Sequence, residues 1–161
     1  SVYGGVVLYR AEPLSVRRVA ASLPITLVFS GSKRPTAEVI RLVEARRRRS
    51  RARFDDLYAK IDDCSRRGAS AAARGDHRAL GELFNLHQDF MAAIGVSNAC
   101  LEAIVQALRN SPGIHGAKIS GSGLGDCVVG LGRARRYSGP GQRLLVAVSP
   151  YGVQIERKGR A

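Results

Sequence analysis

The chain has no tryptophan, one methionine, five tyrosines and four phenylalanines among 161 residues. So few aromatic rings leave few platforms on which nucleic-acid bases could stack. Cysteine is scarce as well: Cys64, Cys100 and Cys127 form no CxxC pair, and their odd number argues against a disulfide framework. Free thiols point to a reducing compartment, and a cytoplasmic location is expected. His77, His87 and His115 show no metal-ligand spacing, so no metal site is predicted. No apolar run is long enough to span a bilayer, so no membrane association is expected. No secretory leader is expected, since Ser1 opens directly into the strand-like run Val2–Tyr9. No initiating methionine stands first, and the chain is expected to begin inside a longer protein.

Acidic residues are few, 13 against 26 basic ones, giving a net charge of +13. That balance favours anionic partners: nucleic acid, acidic lipid or phosphorylated small molecules. Six arginines, Arg46 to Arg49, Arg51 and Arg53, lie within eight residues. They point around all sides of a helix rather than along one stripe, which reads as a solvated face; a binding face is the alternative.

The composition, 45% hydrophobic and 24% charged, is that of a globular domain. Strands are predicted at 2–10, with a bulge or close approach at Gly4-Gly5, at Val16–Ala20, and at Ile25–Phe29 after Pro24. Pro35 suits a helix first turn. The spacing of Val39, Ile40, Leu42 and Val43 predicts a helix running through the arginines to Phe54, Leu57, Tyr58 and Ile61. It is expected to end around Gly68 and Gly75. Asp76 is read as the N-cap of the next helix, closed by Gly95, and Ser97 as the cap of another, stopped at Asn110–Gly113. Asn85 reads as a structural residue bonding a neighbouring loop. Further strands are predicted at 114–119, Cys127–Leu131, Arg143–Val148 and Gly152–Glu156. The order strands, helices, strands argues for an α+β fold with helices on one face of an antiparallel sheet.

The sharpest motif is Lys118-Ile119-Ser120-Gly121-Ser122-Gly123-Leu124-Gly125-Asp126. Glycines at alternate positions allow backbone N–H groups to converge as an anion-binding nest; a plain tight hairpin is the alternative. No Gly-Lys-Ser/Thr follows, so it is not a Walker loop, and it enters a strand rather than a helix, so it is not a Rossmann fingerprint. Lys33, Arg34 and Thr36 place two cations and a hydroxyl where a strand ends and a helix begins. Such a corner can hold a carboxylate or phosphoryl group, or can simply be solvated, with Thr36 assisting the helix cap.

Lys118 to Gly125 resembles the third signature motif of the GHMP kinases, Lys-apolar-Ser/Thr-Gly-Ala/Ser-Gly-x-Gly; Asp126 departs from the glycine often found there. Leu27–Glu38 is similar to the strand–Gly–basic–Ser/Thr–helix stretch of the mevalonate kinases. Phe84–Ser97 resembles the penultimate helix and turn of that family, and Ser1–Gly5 the strand that follows its catalytic aspartate. The resemblance implies a ferredoxin-like C-terminal domain with an antiparallel sheet of about four strands over residues 21–161. Residues 1–20 would be strands completing an N-terminal domain or the connection to it.

It further implies an ATP- and Mg²⁺-dependent transfer of phosphate to a small-molecule hydroxyl, mevalonate first. Phosphomevalonate, homoserine or a sugar are alternative acceptors, and a non-catalytic basic module is the rival from another class. Ser120, Gly121, Ser122, Gly123, Leu124, Gly125 and Asp126 would border the phosphate site, and Lys33, Arg34 and Thr36 the acceptor. The family's Pro-x-x-x-Gly-Leu-Gly-Ser-Ser loop and its aspartate have no counterpart here and would precede Ser1. No catalytic residue is therefore assigned to this chain. It is expected to need that N-terminal part, joined to it or as a separate chain, and to be inactive alone. A homodimer is left open.

Overall fold

The computed structural model describes residues 2–20 and 22–154. β1 (Val6–Arg10) and β2 (Ser15–Ala20) form an antiparallel hairpin, a two-stranded sheet of its own. The strand begins four residues later than predicted because Gly4 packs its backbone against Tyr151, and Gly5 N–H donates to Ser149 O at 2.7 Å. A register shift between Val6 and Val7 supplies the irregularity expected near the glycine pair.

β3 (Ile25–Phe29), β4 (Ile114–Ser120), β5 (Cys127–Gly132) and β6 (Gln142–Leu144) build the main sheet in the order β4-β5-β3-β6, all neighbours antiparallel. That is the ferredoxin-like arrangement, in which the first strand in sequence lies between the third and the fourth. Between β5 and β6 the chain is irregular rather than helical. β6 is shorter than the predicted Arg143–Val148 strand, and Gly152–Gln154 form no strand; Ile155 and Glu156 lie outside the described residues.

Four helices link β3 to β4: α1 (Thr36–Arg49), α2 (Arg51–Ala73), α3 (His77–Ala93) and α4 (Ala99–Arg109). Two predictions are corrected here. The predicted continuous helix breaks at Ser50, which takes an extended φ of −149°, so Val39 of α1 and Phe54 and Leu57 of α2 share one core. α2 then runs through Gly68 to Ala73, because Cys64, Ala69, Ala71 and Ala72 continue its buried face beyond that glycine. Asp76 caps α3, accepting from Ala79 N–H at 3.0 Å. The cap of α4 is Asn98 rather than Ser97: Asn98 Oδ1 accepts from Leu101 N–H at 2.9 Å. Ser97 instead donates to Glu102 Oε1.

α4 lays Leu101, Ile104, Val105 and Leu108 on Val28, Ala117, Ile119 and Val128, all fully shielded from water. Burying a side chain of this size contributes about 1.5–3 kcal/mol. α3 runs along the free side of β4. There Asn85 Oδ1 accepts from Ala117 N–H at 3.0 Å and Gln88 Oε1 from Ile119 N–H at 2.9 Å. Asn85 thus bonds a strand, not the neighbouring loop expected for it. Two amides that an edge strand would leave bare are satisfied by side chains.

Candidate functional site

β4 and β5 are joined by the glycine-rich loop, and the ladder closes at Ser120 opposite Cys127. Gly121, Gly123 and Gly125 take φ of 92°, 85° and 141°; Leu124 and Asp126 take 56° and 69°. A left-handed backbone costs a residue with a Cβ about 1–2 kcal/mol, so Leu124 and Asp126 need compensation. Leu124 N–H donates to Val96 O at 2.7 Å, and its side chain packs with Val39, Ile94 and Val96. Asp126 N–H donates to Ser32 O at 2.6 Å, and Asp126 O accepts from Ser30 N–H at 2.8 Å. Asp126 stands where the family often has glycine, and its positive φ is one that glycine adopts freely and aspartate tolerates.

The loop is therefore held between the α3–α4 turn and the β3–α1 corner. Gly123 is the tightest point: a Cβ there would lie 2.3 Å from Val96 O. With the amides of Leu124 and Asp126 spent on this grip, the nest is smaller than the motif suggests. The N–H groups of Ser122 and Gly123 have no acceptor among the described residues.

Of the three corner residues, Lys33 joins the loop, its ammonium 3.3 Å from Asp126 Oδ2. Arg34 and Thr36 are exposed and make no bond to it among the described residues. Thr36 does not cap α1: Pro35 occupies the cap position without a side-chain bond, and helical bonding starts at Glu38 N–H to Pro35 O. Beside Ser122 a pocket of about 310 Å³ opens over Val39, Ile40, Val43 and Met91. Burial first, and then the hydrogen bond to Asp126, push the neighbouring Cys127 thiol up to about 11, so it stays protonated at neutral pH.

The arginine run is more than a solvated face. Arg46 Nη1 donates to Gly95 O at 2.5 Å and Ile94 O at 3.3 Å, and Arg53 Nη2 to Ala93 O at 3.2 Å. These carbonyls are those of the last residue of α3, its C-cap Ile94 and the Gly95 that follows, at the helix end where cations are favoured. Gly95 has φ 84°, and a Cβ on it would collide with the Arg46 guanidinium. Arg47, Arg48 and Arg51 pair with Glu44 or Asp55. Arg46 thus fixes the turn that carries Val96. A second support is the chain from Ile119 N–H through Gln88 to Glu102 Oε1, the latter step 2.9 Å. Neither support was read from the sequence. The only hint was a buried-face position occupied by a glutamine, Gln88, 1% exposed. No group of three His, Cys, Asp or Glu able to hold a metal occurs among the described residues. No helix is long and apolar enough to cross a membrane among them either.

Residues 69–139 match the family described as "GHMP kinases C terminal". The mevalonate kinase of Aeropyrum pernix is 30% identical over 133 residues, 81% of this chain and 41% of that protein. The mevalonate kinase of Archaeoglobus fulgidus is 31% identical over 156 residues, 97% of this chain and 50% of its own length. Among solved structures, L. major mevalonate kinase in complex with R-mevalonate superimposes with a TM-score of 0.78 at 26% identity, covering 94% of this chain and 51% of that one. The chain spans about half the length of the curated relatives it matches, or less. The strand order and the sequence match agree, and over residues 69–139 the chain carries the C-terminal domain of the GHMP kinases.

Proposed function

We propose that the intact protein is a mevalonate kinase, and that this chain supplies its C-terminal half. The observation that carries the reading is the joining of the glycine-rich loop to the β3–α1 corner through Asp126, Ser32 and Lys33. That contact sets free amides, a cation and a helix start side by side. The similarity to mevalonate kinases over most of the chain supports mevalonate as the acceptor. On this reading residues 1–20 belong to the connection with an N-terminal domain, and the hairpin's separation from the main sheet supports that division.

When bound, ATP supplies the γ-phosphoryl group, whose bond to the bridging oxygen of ADP breaks as one to the acceptor oxygen forms. The acceptor's proton goes to a carboxylate expected ahead of Ser1. This chain's part is positioning and charge stabilisation, the main means by which phosphoryl transfer is catalysed. The amides of Ser122 and Gly123 fit a phosphate oxygen. Lys33, Arg34 and the hydroxyl of Thr36 hold the acceptor at the start of α1. The residues present do not fit a metal set, since Asp126 is engaged by Lys33, and no step is assigned to Mg²⁺ here. Three free thiols fit a cytoplasmic enzyme.

The test is ADP release by the full-length protein with ATP and mevalonate, compared with Thr36→Ala and with the 161-residue chain alone. Turnover by the full-length protein, a sharp loss in Thr36→Ala and silence from the isolated chain are expected. Turnover with galactose but not mevalonate would refute the acceptor assignment, and no turnover with any hydroxyl acceptor would refute the kinase.

A further inference from the structure

Lys118 opens the glycine motif, yet its side chain turns away from the loop. It enters a separate pocket of about 300 Å³ between the β1–β2 hairpin and α2 and α3. Val7, Val19, Leu23, Leu80 and Phe84 make its walls hydrocarbon. Four polar side chains line it: Lys118 from β4, His87 from α3, and Cys64 and Ser65 from α2, the Ser65 hydroxyl donating to Ile61 O at 2.8 Å.

Their bonding is incomplete. Lys118 Nζ donates to Ile119 O at 2.7 Å and stands 5.9 Å from the centre of the Phe84 ring. No carboxylate among the described residues pairs with it, whereas Arg48, Lys60, Arg66, Arg67 and Arg78 each have one. His87 Nδ1 is shut off from water and has no hydrogen-bond partner. Burial lowers the affinity of Lys118 for its proton. Burial and then the Lys118 charge push His87 down to about 4, so the imidazole is neutral at physiological pH. The Cys64 thiol donates to Leu83 O at 3.4 Å and is pushed up by burial, so it too is uncharged.

A desolvated ammonium without a counter-ion and a buried ring nitrogen without a partner each cost free energy. A ligand in the pocket can relieve the ammonium, whereas Nδ1, closed to water, stays closed to it as well, so a ligand reaches His87 only through its other ring nitrogen. A carboxylate offers its charge to Lys118 and an oxygen to an N–H of His87, and charge-assisted bonds of this kind are the strong ones. The remaining walls, Ser65 apart, accept hydrocarbon. The volume lies at the lower end of the usual range for ligand pockets, about 300–1,000 Å³, so the tail is short.

We propose that this pocket binds a short-chain aliphatic carboxylate, its head on Lys118 and His87 and its tail against Val7, Val19 and Leu80. The site contains none of residues 120–126 and does not depend on the kinase reading.

Calorimetric titration of the full-length protein with hexanoate, 1-hexanol and hexylamine tests it. Hexanoate is expected to bind, hexanol about tenfold more weakly for want of the charge, and hexylamine not at all. Lys118→Met should weaken hexanoate by about tenfold or more, leave hexanol unchanged and raise the melting temperature, because an unpaired charge is replaced by an apolar chain of similar length. Gly68→Leu fills the pocket from α2, where an added Cβ meets only Leu80 Cδ1 at 3.6 Å. It should abolish binding of both ligands without lowering the melting temperature. Failure of hexanoate to bind the full-length protein, equal affinity for hexanoate and hexanol, or unchanged hexanoate affinity in Lys118→Met would each overturn the proposal.

Discussion

The main sheet and the hairpin are made of similar residues but are finished differently. β3 and β5 read Ile-Thr-Leu-Val-Phe and Cys-Val-Val-Gly-Leu-Gly; β1 reads Val-Val-Leu-Tyr-Arg. In the sheet, Val28, Val128, Ile119 and Leu131 are wholly shielded, because α3 and α4 cover one face. In the hairpin no strand residue is buried, and Tyr9 is 61% exposed. Strand propensity forms both; only helical cover makes one of them a core. On the proposed reading, the N-terminal domain supplies the cover that the hairpin lacks.

Deletion of apolar atoms tests this most strongly. Leu101→Ala, in the centre of the α4 interface, should cost about 3–5 kcal/mol, while Val7→Ala in the hairpin should cost about 1 kcal/mol, both read by urea unfolding of this chain. Equal losses would break the contrast. Next in size is Gly123→Ala, where left-handed strain and the Val96 collision add to about 2–4 kcal/mol and, on the proposed reading, turnover of the intact protein is lost. Gly121→Ala sharpens the point. It has the same sign of φ, but nothing closer than Asp126 Oδ2 at 3.9 Å, so strain alone, about 1 kcal/mol, remains. A Gly123→Ala protein as stable as Gly121→Ala would mean the loop is not gripped there.

The pocket beside the hairpin gives a pH test. His87 holds its proton less well folded, about 4, than its ordinary 6.5. The unfolded chain therefore takes up the extra proton, and stability should fall as pH drops from 6.5 towards 4. The melting temperature of His87→Gln should fall less over that window; parallel curves would refute the assignment. Smaller still is Arg46→Ala, which releases the carbonyls of Ile94 and Gly95. About 1–2 kcal/mol and a several-fold drop in kcat are expected, partly restored in Arg46→Lys. A merely structural role would lower stability and leave the kcat of the folded enzyme unchanged. Last is Lys33→Gln. Its ion pair is two-thirds exposed on the lysine side, so below about 1 kcal/mol of stability should be lost. If Lys33 holds substrate, KM for the acceptor rises all the same.

What the sequence disclosed followed the range of the interactions. Asp76, Gly95 and the strand at Cys127 were legible because caps, left-handed glycines and apolar runs act within a few residues. The break at Ser50 was not, since its cause is a shared core between Val39, Phe54 and Leu57 rather than a local breaker. Ser97 and Asn98 are both good caps, and only the pull of Glu102 on the serine decides between them. Asn85 and Gln88 bond to residues 32 and 31 positions away, a separation that no periodicity encodes. The glycine loop was found by its pattern, but its pattern could not say that two of its amides are spent on neighbouring carbonyls.

The closed side of β4 bears on association. An open outer strand is a template on which another chain can add its own, the usual route to sheet-to-sheet dimers and to aggregates. With Asn85 and Gln88 occupying the amides of Ala117 and Ile119, that template is blocked along the strand leading to the loop. The opposite border of the sheet is β6, only three residues long. Among the described residues a second copy therefore finds no long free border of the main sheet to extend, which directs any self-assembly of this part to its helices or the hairpin.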